Sequence, residues 1–330
     1  MESAYIQITA ARRIHAVRGV SFWIAIVVSL LIYYVLFSMV LHKPQTTGQH
    51  RKLIVAKTTI LDGLKEEPKL VVLAGSNGRV SHSARLIGEI INLPAVNMSV
   101  TASMSIDFQL NRIKPFLIAG DIVYMPLEYG QLARSRKTVY SGIEAPYVVA
   151  YDKTSLADFN LMRQLHAYFY FDLKFIFSAL AEMALTEMGF ERRVTADDFN
   201  EWGDQTGHSI EKAKPYANYI NQTTVSAPKG IDTESFSAQS ISEFLEWASE
   251  HGVVVVGGYP TYAEGLAITS EAVSGIELFY ESRGHYFLNL ENKGRYPKTH
   301  FFDTIYHLAE PYQLEHSQRV GDGLKELFGR

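Results

Sequence analysis

The chain has 330 residues, of which 47% are hydrophobic and 20% charged, and it contains no cysteine. This composition excludes a disordered chain and a small disulfide-stapled protein, and the lack of cysteine excludes disulfides, thiol nucleophiles and cysteine-ligated metal sites. The net charge is −4, but residues 1–52 carry six Lys and Arg against Glu2 alone, which leaves 25 basic and 34 acidic residues after them. We therefore expect no nucleic acid among the main partners, because the acidic remainder would repel a phosphate backbone.

The first predicted element is a membrane-spanning helix at residues 19–41. These 23 residues carry no charge, and at about 1.5 Å per residue such a helix crosses a hydrocarbon core of about 30 Å. The run leads into residues 38–45, which offer no signal-peptidase site, so we expect an uncleaved anchor. Three arginines lie within residues 1–18, and the positive-inside rule then predicts that this segment is cytoplasmic and the rest of the chain exported.

A polar connector at 42–68 is expected to lead into a soluble domain at 69–330. Short apolar runs alternate there with helical patterns, which is typical of an α/β fold with a mostly parallel sheet. The predicted strands are 69–74, 94–98, 121–127, 252–260 and a short one at 286–288. The predicted helices are 79–92, 103–119, 240–251, 276–283 and 313–328. A helical insertion at about 150–235 interrupts this order.

Within the insertion, residues 164–190 are apolar nearly all round and are predicted to form a helix. Such a helix either packs across the sheet domain as part of its core or lies on the bilayer or on a membrane partner. Asp172 and Lys174 in its first third speak against a second membrane span. We favour the core interpretation.

The first candidate for chemistry is Ser76, in the run Ala74-Gly75-Ser76-Asn77-Gly78 directly after the first predicted strand. A serine on the sharp turn from strand to helix exposes its hydroxyl, and neighbouring N–H groups can bind a developing oxyanion. The alternative is a plain helix-capping loop, in which serine and asparagine are common. The sequence contains no P-loop, dinucleotide-binding, HExxH or GxSxG motif, and we expect neither a metal ion nor a cofactor.

The second candidate is the pair Asp303 and His307, shortly before the last predicted helix. A serine hydroxyl is a weak nucleophile until a base takes its proton, and a histidine oriented by a carboxylate is the usual base. With Ser76 after the first strand of the same domain, the three residues favour a catalytic triad over a plain polar loop. His82, six residues after Ser76, is interpreted as a solvent-exposed side chain.

These motifs resemble the SGNH (GDSL-type) hydrolase superfamily, whose members have a flavodoxin-like three-layer α/β sandwich. The similarity is to its membrane-anchored bacterial branch, which has a GSN-type first block and a late FxDxxxHL block, matched here by residues 75–77 and by FFDTIYHL at 301–308. The resemblance covers about residues 69–130 and 240–328. It implies a single-pass protein of the bacterial inner membrane with its domain in the periplasm. Several members O-acylate exported polymers, as in alginate acetylation and teichoic-acid D-alanylation, beside a multi-span membrane acyltransferase.

The resemblance also implies a role for each residue of the triad. Ser76 matches the nucleophile, His307 the base and Asp303 the carboxylate that orients it. The sequence has three residues between Asp303 and His307, whereas the superfamily usually has two.

The oxyanion and substrate residues that the resemblance implies depart further from the family pattern. Asn97 matches the asparagine of the second block, but Ser99 replaces the glycine whose N–H joins the oxyanion hole. The third block, with its amide donor, is absent, and Glu128 stands after the third strand in its place. Asn77 is the nearest substitute amide.

Two functions from different classes agree with these expectations. The first is an O-acetyltransferase or acetylesterase that passes an acyl group from Ser76 to an exported cell-surface polysaccharide or to water. The second is a catalytically inactive subunit with the same fold, docked on a polysaccharide export or acyltransferase complex. The expected partners are a glycan, the inner membrane and such a multi-span acyltransferase or export complex. We favour the enzyme.

Overall fold

The computed structural model describes residues 2–42, 45–170, 172–189, 199–224, 231–265 and 268–329. The chain divides into two units: an anchor unit formed by Met1–Gly48 and Phe171–Arg192, and a sheet unit formed by Gln49–Tyr170 and Arg193–Arg330. The predicted insertion at about 150–235 is thus shared between the two units instead of belonging to one domain. Its residues 171, 190–198 and 225–230 lie outside the described residues.

Helices form the larger part of both units. In chain order they are α1 (Glu2–Val40), α2 (Gln45–Gly63), α3 (Ser76–Ser81), α4 (Ala84–Ile91), α5 (Ile106–Ile113), α6 (Tyr129–Leu132), α7 (Arg136–Tyr140), α8 (Glu144–Tyr151), α9 (Lys153–Asp158), α10 (Leu161–Tyr168), α11 (Leu173–Glu187), α12 (Ile210–Ala213), α13 (Ala217–Gln222), α14 (Phe236–Glu250), α15 (Ser270–Glu281) and α16 (Glu310–Leu327). Short 3₁₀ turns occur at Lys114–Phe116, Lys214–Tyr216 and Lys298–His300. The three predicted helices nearest the C-terminus overlap α14, α15 and α16, each of which begins several residues earlier than predicted.

The anchor unit is built on the long helix α1. Its stretch Gly19–Val40 has 22 residues with a mean hydropathy of 2.4, and almost none of it is buried within the protein. Within the described ranges this is the one helix long and apolar enough to cross a membrane, which agrees with the span predicted at 19–41. Helix α11 packs against α1 in the same unit.

The connector and the helix of the insertion differ from their predictions. The polar connector predicted at 42–68 contains a regular helix, α2. The single helix predicted at 164–190 is two helices, α10 and α11, which belong to different units. The break has a local cause, because the Asp172 side chain accepts a hydrogen bond from the backbone N–H of Phe175 at 2.7 Å and so begins a new helix.

The sheet unit contains a five-stranded parallel sheet with the strand order β2-β1-β3-β4-β6. The strands are β1 (Leu70–Val72), β2 (Ala95–Asn97), β3 (Ile122–Met125), β4 (Val254–Gly258), β5 (Tyr262–Ala263), β6 (Tyr286–Leu288) and β7 (Arg295–Tyr296). β5 and β7 form a separate parallel pair. The α/β class and the five strands of the main sheet are therefore as predicted from the apolar runs.

Both faces of the sheet are covered by helices. Val71, Leu73 and Val123 point to one face, where they join a core with α5, α14 and α15. Leu70 and Val72 alternate to the other face and pack with α4 and α16. Strands that are buried on both faces read as continuous apolar runs, which is why the sequence locates them well.

The strand order determines where a ligand crevice can form. The chain passes from β1 to β2 on one side and then returns to β3 on the other side of β1. Numbered along the chain, the sheet has the order 2-1-3-4-5, which is that of flavodoxin-like doubly wound sheets. In such sheets ligands bind at the carboxyl ends of the two strands that flank the reversal. Here these ends belong to β1 and β3.

Candidate functional site

Ser76 and Glu128 meet at the switch point between β1 and β3. Ser76 begins α3 shortly after β1, and Glu128 follows β3. Ser76 Oγ donates to Glu128 Oε1 at 3.4 Å, and the backbone N–H of Asn77 donates to the same oxygen at 3.2 Å. The hydroxyl of the predicted nucleophile is therefore hydrogen-bonded to the Glu128 carboxylate.

Asp303 and His307 form the expected pair. His307 Nδ1–H donates to Asp303 Oδ1 at 2.6 Å, which leaves Nε2 as the nitrogen that can accept a proton. Burial alone would raise the pKa of Asp303, but the hydrogen bond from His307, the charge of His307 and the charge of Arg79 outweigh it and lower that pKa. The carboxylate is thus ionised at neutral pH and able to orient the imidazole and stabilise its cation.

The segment that carries His307 is bonded to the helix that Ser76 begins. Ser81, at the end of α3, donates through Oγ to the carbonyl of Tyr306 at 3.0 Å and accepts from the N–H of Leu308 at 2.9 Å. Thr261, after β4, donates to the same Tyr306 carbonyl at 2.7 Å. Both neighbours of His307 are therefore fixed against α3, although they lie more than 200 residues from it in sequence.

The environment of Glu128 makes it easier to protonate than an ordinary glutamate. Burial raises its pKa, and this effect exceeds the opposing effects of the His307 charge, the Asn77 N–H, the Ser76 hydroxyl and the Arg134 charge. Glu128 therefore lies in contact with Ser76 and has a raised pKa.

Asn97 and Ser99 hydrogen-bond to the backbone on either side of Ser76. Asn97 Nδ2 donates to the carbonyls of Gly78 at 2.9 Å and His82 at 3.1 Å, and its Oδ1 accepts from the N–H of Ser99 at 3.1 Å. Ser99 Oγ accepts from the N–H of Ala74 at 2.9 Å. The Ser99 N–H, which was expected to join an oxyanion hole, is thus engaged by Asn97 in a local side-chain turn.

Asn77 has a buried side chain with unused hydrogen-bonding capacity. It is fully buried, and among the described residues neither Nδ2 nor Oδ1 has a partner. Leaving a buried amide unpaired costs about 1–3 kcal/mol. The amide that the sequence offered as a substitute donor is therefore not used by another described group.

His82, which was predicted to be solvent-exposed, is completely buried. Its Nδ1 lies 3.4 Å from the carbonyl of Asn77, its Nε2 lies 3.0 Å from His316 Nε2, and His316 Nδ1 lies 2.8 Å from the hydroxyl of Tyr296. Since a carbonyl only accepts, His82 carries its proton on Nδ1, His316 donates through Nε2, and Tyr296 donates to His316. Burial lowers the pKa of His82 to about 4 and that of His316 well below its usual value, so both rings are neutral.

The burial of His316 was predictable from the sequence, whereas the burial of His82 was not. His316 precedes Val320 and Leu324 by four and eight residues in the last helix, so it lies on the same apolar face and was predictable as buried. His82 had no such signal, because it lies at the break between α3 and α4.

Residues 199–207 of the insertion hydrogen-bond to the start of α4 and to β2, next to the site. Asp204 accepts from Ser83 Oγ at 3.0 Å and from the N–H of Ala84 at 2.7 Å, and so satisfies the first turn of α4. The carbonyl of Trp202 accepts from the N–H of Asn97 at 2.8 Å at the edge of β2. These contacts explain why the helix predicted at 79–92 is divided into α3 and α4.

Comparison with known proteins does not identify the chain. No family model and no curated protein sequence matches it. The resemblance to the SGNH superfamily therefore stays a prediction carried by the residues quoted above. In the part of the chain that the structure describes, no group of three or more His, Asp or Glu side chains is arranged to hold a metal ion.

Proposed function

We propose that this protein is a membrane-anchored, SGNH-like acyl-transfer enzyme in which Ser76 is the nucleophile, His307 the general base and Asp303 its orienting carboxylate. One observation carries the proposal: the Asp303–His307 pair, at 2.6 Å, belongs to a segment hydrogen-bonded to the helix that Ser76 begins. The strand order and the helices on both faces of the sheet support the flavodoxin-like sandwich that the family resemblance implies.

The proposed reaction proceeds through an acyl-serine. Ser76 Oγ attacks the carbonyl carbon of an acyl donor while its proton passes to His307 Nε2. The tetrahedral intermediate collapses, and His307 returns the proton to the leaving oxygen. A hydroxyl of the acceptor, or water, then attacks the acyl-serine and gives its proton to His307, which returns that proton to Ser76 Oγ as the serine leaves. Asp303 stays ionised throughout and stabilises the imidazolium.

Glu128 has to leave its resting position during this reaction. Its carboxylate accepts the hydrogen bond of the Asn77 N–H, and a negative charge there would repel a developing oxyanion. The acyl carbonyl oxygen displaces it, after which the Asn77 N–H donates to the oxyanion. The raised pKa of Glu128 favours this step, because the protonated carboxyl carries no charge.

For the substrate and the location, we propose an exported cell-surface polysaccharide and a single-pass inner-membrane protein with residues 1–18 in the cytoplasm. The candidate span in α1 supports the anchor. A multi-span acyltransferase or polymer export complex is the proposed partner that would supply the acyl group or the polymer.

A second function, an inactive accessory subunit of such a complex, is favoured by one specific arrangement. The Glu128 carboxylate holds both the Ser76 hydroxyl and the Asn77 N–H, and the Ser99 N–H is engaged by Asn97. A protein without selection for catalysis could keep this closed arrangement permanently.

A serine-reactive fluorophosphonate separates the two functions. The full chain is treated with the probe at neutral pH, and the modified peptide is located by mass spectrometry. We expect a covalent adduct on Ser76 that is absent in Ser76→Ala and unchanged in Ser103→Ala, since Ser103 is an exposed serine after the neighbouring strand. A folded protein without an adduct at Ser76 would contradict the enzyme and support the accessory subunit.

A further inference from the structure

Helix α10 exposes an apolar face. Large apolar side chains of α10 and the residue after it are exposed to unusual extents: Leu161 70%, Met162 59%, Leu165 43%, Tyr168 41% and Phe169 53%. At about 100° per residue, these positions fall within an arc of about 120° on one side of the helix. Isolated exposed apolar residues are normal, but a continuous face of this kind marks an interaction surface.

The opposite side of α10 fixes the direction of this face. Arg163 and Ala167 lie on the reverse of the helix and are buried in the sheet unit. Arg163 forms ion pairs with Asp107 and with Glu144, the latter at 3.0 Å, and its guanidinium lies 3.7 Å from the centre of the Phe159 ring. The helix is therefore attached by its polar and small residues and turns its apolar residues away from the domain, which reverses the usual pattern of a surface helix.

The course of the chain indicates what covers this face. Four residues separate the end of α10 at Tyr168 from the start of α11 at Leu173. Helix α11 packs against α1 in the anchor unit, which contains the candidate membrane span. The apolar exposure continues into α11, where Leu173 is 59% and Phe177 63% exposed.

We propose that the outward face of α10, formed by Leu161, Met162 and Leu165 and extended by Tyr168 and Phe169, inserts into the interface of the lipid bilayer in which α1 is anchored. Helices with an apolar face and few charges on it bind in the plane of the interface, with that face just below the headgroups. This contact would give the sheet unit a fixed orientation toward the membrane, and it does not depend on the proposed acyl transfer.

The lack of cysteine makes site-specific labelling a direct test. The full chain carrying Leu165→Cys is labelled with the environment-sensitive fluorophore NBD and reconstituted in nanodiscs of phosphatidylethanolamine and phosphatidylglycerol. Leu278→Cys is the matched control, since Leu278 is an exposed leucine (63%) of α15. We expect blue-shifted emission at position 165 and quenching by nitroxide lipids several-fold stronger than at 278, with iodide quenching in the reverse order.

Two further results decide the proposal. Leu161→Gln with Met162→Gln should weaken lipid quenching at position 165 without changing the melting temperature, because both side chains are exposed. Equal iodide quenching at positions 165 and 278 would overturn the proposal. Shielding from iodide at 165 without quenching by nitroxide lipids would overturn it as well, and would indicate a second copy of the chain as the occupant.

Discussion

The two ends of the same strands bury charged groups in opposite ways. Before β1 and β3, Lys69 and Asp121 form a fully buried ion pair at 2.7 Å, and Asp121 also accepts the backbone N–H groups of Lys69 at 3.0 Å and Ile118 at 2.9 Å. After the same strands, the Glu128 side chain accepts from the Ser76 hydroxyl at 3.4 Å and the Asn77 N–H at 3.2 Å, and it forms a capping box with Gln131 at the start of α6. At the amino edge the buried charges of Lys69 and Asp121 have hydrogen-bond partners. At the carboxyl edge the buried side-chain amide of Asn77 has no partner among the described residues.

The hydrogen-bond partners of a buried carboxylate distinguish a structural ion pair from a functional candidate better than its burial does. A buried carboxylate with several good partners stabilises one conformation. A buried carboxylate with a raised pKa, next to a hydroxyl and an unpaired amide, is an arrangement typical of reactive sites. Variants at the amino edge are therefore controls for experiments on the carboxyl edge.

Breaking the amino edge should give the largest loss of stability. Asp121→Ala leaves Lys69 buried without a counter-charge, and we expect the free energy of unfolding to fall by about 3–5 kcal/mol. The measurement is denaturant unfolding of the full chain in detergent micelles. Glu89→Ala, which removes an exposed ion pair with Arg85, should cost at most about 0.5 kcal/mol. Equal losses for the two variants would contradict the contrast between the edges.

Acid should destabilise the carboxyl edge through its buried histidines. The folded pKa of His82 is about 4, below the value of about 6.5 in an unfolded chain. Below pH 6.5 the unfolded state therefore binds more protons, and stability falls as the pH drops toward 4, by about 3 kcal/mol for a shift of this size. His316 acts in the same direction.

Unfolding measured at pH 7 and pH 4.5 tests this prediction. His316→Gln keeps a donor for His82 but removes one titrating ring, so the acid-induced loss should become smaller. An unchanged loss would show that the buried histidine chain does not control acid stability.

Glu128→Gln should have a smaller effect, with the opposite dependence on pH. Because the folded pKa of Glu128 is raised, its ionisation costs folding free energy, and this cost appears as the pH rises above the unfolded value near 4.3. The variant should therefore melt at a higher temperature than the native chain at pH 8 and show less difference at pH 5. Labelling of Ser76 should be maintained or faster, since no negative charge competes with the oxyanion. Loss of labelling would instead identify Glu128 as an acid or base in the reaction.

The sequence predicted the strands of the sheet and the contact between Asp303 and His307 better than their surroundings, for physical reasons. Strands buried on both faces give apolar runs, and Ser76, Asp303 and His307 stand in short motifs. The contact between Glu128 and Ser76 joins residues 52 positions apart and depends on β3 lying beside β1, which no local pattern specifies. The helix α2 was missed because its start is polar, and the break before α11 depends on one capping residue, Asp172.

The central claim is that the carboxyl edge holds a serine activated by His307. The most direct test is the rate of fluorophosphonate labelling at Ser76 in the native chain and in His307→Ala, measured at pH 7 by mass spectrometry. A general base contributes about 10²–10⁴-fold, so we expect the variant to react at least about 100-fold more slowly while its melting temperature stays close to that of the native chain. Labelling of Ser76 at the same rate in both proteins would contradict the account.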